Sequence, residues 1–203
     1  HAPAPTPALP SSLRPPAVVT SLRFVWATAA VRREVFLPGA EREAAYWGEN
    51  LDLGQDRVVL DPRTLAKMRD HLDITDEELV LDIGCAMGYS SAVIAHMAEA
   101  VVAVEEDEAM AAEAQEALAQ AGADNVVVHV GPLAEGAPQH GPYDVVIVQG
   151  AVAELAAAVA GPGQGGGRMP RTVTGTRRGA GAGVGVGGGG QGLGLRGGHC
   201  NDA

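Results

Sequence analysis

The sequence predicts an α/β fold of the doubly wound class, in which a mainly parallel sheet carries helices on both faces. Two observations indicate this class. Between residues 78 and 148, four short apolar runs rich in Val, Ile and Leu have the composition of buried strands. Helical segments and one polar loop separate them. The order strand, helix, strand, helix, strand, loop, strand, helix is typical of a parallel sheet.

The first half of this pattern surrounds a glycine-containing turn. Residues 78–83 are a short apolar run that Gly84 closes, which indicates a buried strand. An apolar helix is expected over 90–98, and 101–104 form a second buried strand. The turn after the first strand therefore lies at the carboxyl end of the sheet, where doubly wound folds bind their ligands.

The second half completes the alternation. Residues 107–121 have the period of an amphipathic helix, and Gly122 is a typical stop signal. Residues 126–130 and 143–148 are the third and fourth strands, with a polar loop between them. A helix is expected to follow over 151–160.

Two further helices are expected upstream of the first strand. They cover residues 40–47 and 61–73. The pair Asp61-Pro62 suits a helix start, because Asp caps the free N–H groups and Pro is tolerated in the first turn.

The composition divides the chain into three parts. Residues 1–30 begin with a proline-rich stretch and are expected to be irregular. Residues 31–160 form the folded domain. Residues 161–203 hold most of the 28 glycines and several arginines, so we expect a disordered tail in which only 171–174 could add a short fifth strand.

Charge and cysteine content narrow the classes of partner. The chain has 25 acidic and 14 basic residues and a formal net charge of −11, which argues against nucleic acid or an anionic membrane. No apolar run is long enough to predict a membrane span. Cys85 and Cys200 cannot form a disulfide framework, so a reducing, cytoplasmic location is expected. No metal site is expected, since no cluster has enough ligands.

The turn after the first strand is the candidate binding site. Gly84 and Gly88 let the backbone approach a ligand at the N-terminus of the next helix. Glu105 ends the second strand, where a carboxylate accepts the hydroxyls of a ribose. Turn, acid and strand order together predict a nucleoside-bearing cofactor. The alternative is a tight turn without a ligand, which explains the glycines but not Glu105.

Two classes of cofactor share this layout. A dinucleotide site has the motif G-x-G-x-x-G, and the three glycine positions are here Gly84, Ala86 and Tyr89. The bulky tyrosine argues against NAD, and the acidic run 105–108 lacks the basic residue that a 2′-phosphate requires. S-adenosylmethionine needs no pyrophosphate cradle and suits the turn better. A nucleotide-dependent oxidoreductase stays open as an alternative.

A set of short segments carries a family resemblance. In chain order they are Val31–Pro38, Ala45-Tyr46, Leu51–Gly54, Asp61–Met68, Leu81–Tyr89, Ala103–Glu105, Pro142–Val148 and Gly165–Arg168. Together they resemble the protein-L-isoaspartate O-methyltransferases, a class I methyltransferase family, over roughly two thirds of the chain. The N-terminal segments point to this family, whereas the later ones are common to many methyltransferases.

The resemblance implies a Rossmann-like methyltransferase fold and a repair enzyme. Such enzymes transfer a methyl group from S-adenosylmethionine to the free carboxylate of an isoaspartyl residue in a damaged protein. The ester collapses to a succinimide, and hydrolysis returns some normal aspartate. A carboxylate with a pKa of about 4 is already ionised at neutral pH, so the transfer needs no general base.

The resemblance also assigns cofactor roles to residues in and near the turn. The set is Asp82, Gly84, Cys85, Gly88 and Glu105. Gly84 and Gly88 would line the amino-acid end of S-adenosylmethionine, Asp82 would orient that end, and Glu105 would hold the ribose hydroxyls. Cys85 is expected to be a small buried residue of the turn. The implied partners are isoaspartyl-containing proteins or peptides.

Four features depart from the family pattern. Leu60 replaces the serine tied to substrate binding, so no catalytic residue is assigned. Ala86 replaces the middle glycine of the turn, which costs little at a negative φ and more at a positive one. Gly131-Pro132 lacks a carboxylate that helps to hold adenine, and the glycine-rich tail replaces the last strands. The first alternative is therefore an S-adenosylmethionine-binding protein without isoaspartyl activity.

Overall fold

A computed structural model shows which predicted elements form. It describes residues 22–54, 57–61, 65, 72–149, 171–178 and 181–187, with the backbone alone for 22–25 and for the last two segments. The helix predicted over 151–160, most of the helix over 61–73 and the turn Gly165–Arg168 lie outside the described residues.

Eight strands, three α-helices and three short 3₁₀ helices make up the described part of the chain. The strands are β1 (Leu51–Gly54), β2 (Arg57–Val59), β3 (Leu79–Ile83), β4 (Ala100–Glu105), β5 (Val126–Val130), β6 (Val145–Val148), β7 (Arg171–Arg178) and β8 (Gly181–Gly187). The α-helices are α1 (Leu22–Ala30), α2 (Tyr89–Ala95) and α3 (Glu108–Gln120), and the 3₁₀ helices are Arg33–Phe36, Gly39–Ala44 and Pro138–His140.

The main sheet has the predicted doubly wound arrangement. Its strand order is β5-β4-β3-β6-β7-β8. Every neighbouring pair from β5 to β7 is parallel, and β8 pairs antiparallel with β7. The chain leaves β3 for β4 on one side and returns later to β6 on the other. The carboxyl end of β3 is therefore the point where the direction of winding reverses, and a crevice opens there in this class of fold.

The central strands β3, β4 and β6 are continuous apolar runs because both faces of the sheet are covered there. Val80 packs in the larger cluster of buried side chains, which includes residues of α1 and α2. Leu81 and Ile83 point to the other face and pack with Val146 and Tyr143. This alternation places Asp82 on the same face as Val80, towards α2.

Helix α2 is fastened at both ends by side chains from the strands and their loops. At its start, Asp82 Oδ2 accepts the hydroxyl groups of Ser90 and Ser91, each at 2.6 Å. Beyond its end, the Asn125 side-chain amide donates to the carbonyl oxygens of Ala95, Ala98 and Glu99 at 2.9 to 3.3 Å. The Asn125 bonds satisfy carbonyl oxygens that a helix end leaves unpaired, whereas the Asp82 bonds hold the first turn through its side chains.

A small antiparallel sheet of β1 and β2 carries the segment that faces the turn. Leu51 pairs with Val59 in its register. Just after β2, the Asp61 N–H donates to Asn50 Oδ1 at 2.7 Å, which holds the chain at Leu60. The position of Leu60 is thus set by β-pairing on one side and a side-chain bond on the other.

Both chain ends depart from the sequence expectation. Within residues 1–30, expected to be irregular, 22–30 form α1, and Ala27 is buried in the core. Within the tail expected to be disordered, 171–178 and 181–187 form β7 and β8, so the short fifth strand is real but longer than predicted. The free edge of β6 explains this: glycine-rich backbone still supplies the hydrogen bonds that an open edge lacks. The three-part division itself stays a prediction.

Two smaller findings complete the fold. The helix expected over 40–47 is a 3₁₀ helix at Gly39–Ala44. Gly122 ends α3 with a φ of 69°, as its predicted role requires. Among the described residues, no helix combines the length and the apolar character needed to cross a bilayer.

Candidate active site

The turn that follows β3 crosses the carboxyl end of the sheet. The N–H groups of Gly84 and Cys85 both donate to the Val104 carbonyl oxygen, at 2.8 and 3.1 Å. Gly84 has a φ of 77°, a left-handed conformation that favours glycine. The turn is therefore tied to the end of β4, next to Glu105.

A small cleft opens between this turn and β2 with the segment that follows it. Its described lining is Val58, Val59, Leu60, Leu65, Gly84, Cys85, Ala86, Tyr89, Ser90 and Gln149. Apolar side chains form one wall and turn residues form the other. Among the described lining residues, none is a lysine or an arginine.

Asp82 is fully buried behind the cleft. Its Oδ2 accepts the two serine hydroxyls of α2, and its Oδ1 accepts the Gln149 side-chain amide at 2.9 Å. Burial raises the pKa of Asp82, although these three hydrogen bonds oppose the shift. Asp82 thus connects β3 with α2 and with the residue that follows β6. Through these bonds it fixes the positions of Ser90 and Gln149, which line the cleft.

Glu105 is also fully buried, and both of its carboxylate oxygens are occupied. Oε2 accepts the Ala86 N–H at 3.0 Å, so this carboxylate holds the middle of the turn. Oε1 accepts the N–H groups of Glu106 and Asp107 at 2.9 and 3.2 Å. Its predicted place at the carboxyl end of β4 is correct, and its ribose-binding role stays a prediction.

Arg57 approaches Glu105 from the small sheet. Its Nε donates to Glu105 Oε1 at 3.0 Å, and one terminal nitrogen donates to Glu106 Oε1 at 2.7 Å. Burial lowers the pKa of Arg57, but the two carboxylates outweigh burial and the net shift is upward. The acidic run 105–108 contains no basic residue, but the fold places Arg57 beside it.

Ala86 occupies a left-handed conformation with a φ of 49°. The sequence left the sign of this angle open, and the positive value means that the Cβ is strained. For an L-residue other than glycine this conformation costs about 1–2 kcal/mol. The hydrogen bond from Ala86 to Glu105 holds the strained residue in place.

Gly88 has a packing role that the sequence did not indicate. It precedes α2 with a φ of 89°, and a Cβ built there would lie 3.2 Å from Leu118 Cγ on α3. Close approach of the two helices therefore explains this glycine, and its cofactor role stays a prediction. Cys85 is buried, and burial raises the pKa of its thiol, so it is not an activated nucleophile.

The five residues assigned to the cofactor divide into two groups. Gly84 and Cys85 line the cleft. Asp82, Gly88 and Glu105 lie outside its described lining and hold or shape the turn. Leu60, at the family's serine position, lines the opposite wall and is 5% exposed.

A buried arginine next to the cleft was missed by sequence reasoning. Arg33 is 1% exposed, and its guanidinium carbon lies 5.0 Å from the centroid of the Tyr89 ring. Within the described part of the chain, none of its three side-chain nitrogens has a hydrogen-bond partner. Burial lowers the pKa of Arg33, while Tyr89 and Asp61 oppose the shift. The sequence offered one indication of its importance: Arg33 lies in the segment Val31–Pro38, which carries part of the family resemblance.

Fold and site together define a Rossmann-like methyltransferase domain. The chain belongs to the protein-L-isoaspartate(D-aspartate) O-methyltransferase family, whose sequence model matches residues 6–178. The match begins before residue 30 and extends beyond residue 160, so it is wider than the segments that first suggested the family.

Similar proteins carry the family name. A Roseiflexus castenholzii protein-L-isoaspartate O-methyltransferase is 35% identical over 133 residues, which are 66% of this chain and 61% of the relative. One from Methanoregula boonei is 37% identical over 133 residues, again 66% and 61%. The chain thus spans about three fifths of the length of these curated relatives.

Solved structures agree on the fold. A protein-L-isoaspartate O-methyltransferase superposes with a TM-score of 0.67 at 25% identity and covers 77% of this chain and 51% of that protein. A Plasmodium falciparum protein, described as a candidate for the same activity and solved with S-adenosyl-L-homocysteine, has a TM-score of 0.65 at 12% identity, with 82% of each chain covered.

Proposed function

We propose that the chain binds S-adenosylmethionine and transfers its methyl group to the free carboxylate of isoaspartyl residues in damaged proteins. The observation that carries this proposal is the cleft at the reversal point of the sheet, between the turn after β3 and the wall that contains Leu60. Family membership and the relatives' activity support it. Isoaspartyl-containing proteins or peptides are the proposed partners, and the cytoplasm is the proposed location.

The residues present fit the cofactor. Gly84 exposes backbone at the cleft, and a carboxylate at Glu105 is the chemistry that accepts ribose hydroxyls. The described lining lacks basic side chains, which suits a cofactor without phosphate. The structure of the Plasmodium falciparum protein with S-adenosyl-L-homocysteine supports the same class of ligand.

The chain would promote the reaction by holding the methyl donor and the substrate carboxylate in position. When bound, S-adenosylmethionine supplies a methyl group on an electrophilic sulfonium. Leu60, Val59 and Tyr89 exclude water from the cleft, and Asp82 holds the turn through α2 and Gln149. An aspartyl-type carboxylate arrives ionised at neutral pH, so placement rather than proton transfer supplies the rate.

A second candidate is a methyltransferase-like binding protein without repair activity. Leu60 favours it, because a leucine has no donor for the substrate carboxylate. The oxidoreductase alternative has less support. The Tyr89 ring stands at the third glycine position and packs against Phe36 at 6.0 Å, where a dinucleotide fold needs a glycine.

The direct test is methyl transfer from labelled S-adenosylmethionine to an isoaspartyl peptide, beside its aspartyl isomer. Base-labile methanol measures ester formation. Signal on the isoaspartyl peptide alone supports the repair activity. Binding of S-adenosyl-L-homocysteine without signal on either peptide favours the second candidate.

A further inference from the structure

Arg57 links the two sheets at the carboxylate predicted to hold the ribose. It lies on β2, whereas Glu105 ends β4 in the main sheet. The two side chains are joined at 3.0 Å, and their exposed fractions are 16% for Arg57 and zero for Glu105. This ion pair is therefore shielded from water on both sides, unlike an ordinary surface pair.

The other donors to Glu105 belong to the framework of the site. The N–H groups of Ala86, Glu106 and Asp107 come from the turn and from the end of β4 itself. Arg57 is the one side-chain donor to Glu105 in the described part of the chain. Arg57 is bound to Oε1, so a ribose hydroxyl that donates to this oxygen meets Arg57 as its competitor.

Arg57 also has a second partner to which it can withdraw. Its terminal nitrogen is bound to Glu106 Oε1 at 2.7 Å, and the Glu106 side chain is 52% exposed. Breaking the bond to Glu105 would leave the guanidinium paired with an exposed carboxylate and with water. When Arg57 releases Glu105, its guanidinium is therefore not left buried without a partner.

We propose that Arg57 competes with the cofactor ribose for Glu105 and so sets the affinity of the cleft for nucleosides. This inference rests on the proposed function, because it requires the cofactor to place its ribose at Glu105. Arg57 is then a specificity-determining residue: a nucleoside that takes its place at Oε1 must replace one charge-assisted bond, and only a ligand with ribose hydroxyls can do so.

Isothermal titration calorimetry with S-adenosyl-L-homocysteine tests the proposal without activity. We expect Arg57→Gln to bind it about tenfold more tightly than the wild type, since one charge-assisted bond no longer has to be broken. Arg32→Gln is the matched control, because Arg32 forms an exposed pair with Glu34 at 2.9 Å. It should bind like the wild type.

A second pair of ligands separates competition from a merely structural role. With adenosine as the ligand, Arg57→Gln should again gain affinity, whereas with 2′,3′-dideoxyadenosine it should gain none.

The outcomes are distinguishable. If the wild type binds S-adenosyl-L-homocysteine and Arg57→Gln binds it equally or less tightly, the competition is refuted and the proposed function stands. If no variant binds it, the proposed function fails and the competition fails with it. Far-UV circular dichroism confirms folding. Should Arg57→Gln not fold, Arg57→Lys, which keeps the charge but lacks Nε, must show a smaller gain with S-adenosyl-L-homocysteine and none with 2′,3′-dideoxyadenosine.

Discussion

The guanidinium of Arg33 stacks on the ring of Tyr89 at 5.0 Å inside the folded core. Burying a charge that forms no hydrogen bonds costs several kcal/mol, and a cation–π contact returns only about 1–2 kcal/mol. In the described structure, none of the three side-chain nitrogens of Arg33 has a hydrogen-bond partner. Arg33 is therefore a net cost to the fold unless a ligand or anion pairs with it.

Replacing this buried cation should stabilise the protein. We expect Arg33→Met to raise the free energy of unfolding by about 1–3 kcal/mol in urea, because an apolar side chain of similar length carries no desolvation cost. Arg32→Met is the control, since Arg32 is 76% exposed, and it should change stability by less than about 0.5 kcal/mol. A loss of stability in Arg33→Met would contradict the prediction and indicate a bound anion.

The strained turn offers a second stability test. Ala86→Gly should raise the free energy of unfolding by about 0.5–1 kcal/mol, because relief of the positive φ outweighs the extra freedom of glycine in the unfolded chain. Ala112→Gly, at an exposed position of α3, should instead lower it by about 1 kcal/mol. Chemical denaturation measures both. If Ala86→Gly lowers stability as Ala112→Gly does, the strain is absent.

Leu60 is the position at which the proposed methyl transfer can be tested for a missing hydroxyl donor. We expect Leu60→Ser to increase methyl transfer to an isoaspartyl peptide by at least about tenfold, because a hydroxyl donor at the cleft can bind the substrate carboxylate. The control is Val59→Thr, which adds a hydroxyl to the neighbouring residue of the same lining and should leave the rate low. Equal rates in all three proteins would show that Leu60 does not limit activity.

The tyrosines predict how the fold responds to alkaline pH. Burial, with the hydrogen bond to Glu34, raises the pKa of Tyr46 to about 12, and burial raises that of Tyr143 to about 12. The Tyr143 hydroxyl donates to the Ala137 carbonyl oxygen at 2.5 Å. Because the folded pKa exceeds the unfolded value of 10.0, the stability from these groups is complete below pH 10.0 and is lost as the pH rises through 12.

Ultraviolet absorbance of tyrosinate measures this shift directly. The native protein should show little tyrosinate at pH 10.0, whereas the urea-unfolded chain should be about half ionised there. Tyr143→Phe should remove one of the tyrosine ionisations seen near pH 12 and leave that of Tyr46 unchanged. A native tyrosine that ionises together with the unfolded chain would contradict the assignment for that residue.

The sequence predicted the elements whose signal is local. Strands β3 to β6 are continuous apolar runs, so their identity and order could be inferred without tertiary information. The carboxylate of Glu105 was placed correctly because a strand end defines which residues reach the edge of a sheet. Asp107 also caps α3 as its acidic character suggests, accepting the Met110 N–H at 2.8 Å.

The features that were missed depend on distant parts of the chain. Arg57 and Glu105 are 48 residues apart, and only the fold brings them together. The sign of φ at Ala86 depends on the bond that its N–H forms with Glu105, which no local pattern reveals. The second half of β7 and all of β8 were missed because glycine lowers strand propensity, while the open edge of β6 favours pairing regardless of side chains.

Helix α2 has only seven residues, too few to be stable on its own in water. Its fasteners, Asp82 and Asn125, belong to β3 and to the loop before β5, so they are in place only when those strands have assembled. The stability of α2 therefore depends on the sheet, and the helix persists only when these strands are assembled. The cleft beside it, which needs Tyr89 and Ser90 in helical positions, therefore depends on strands that do not line it.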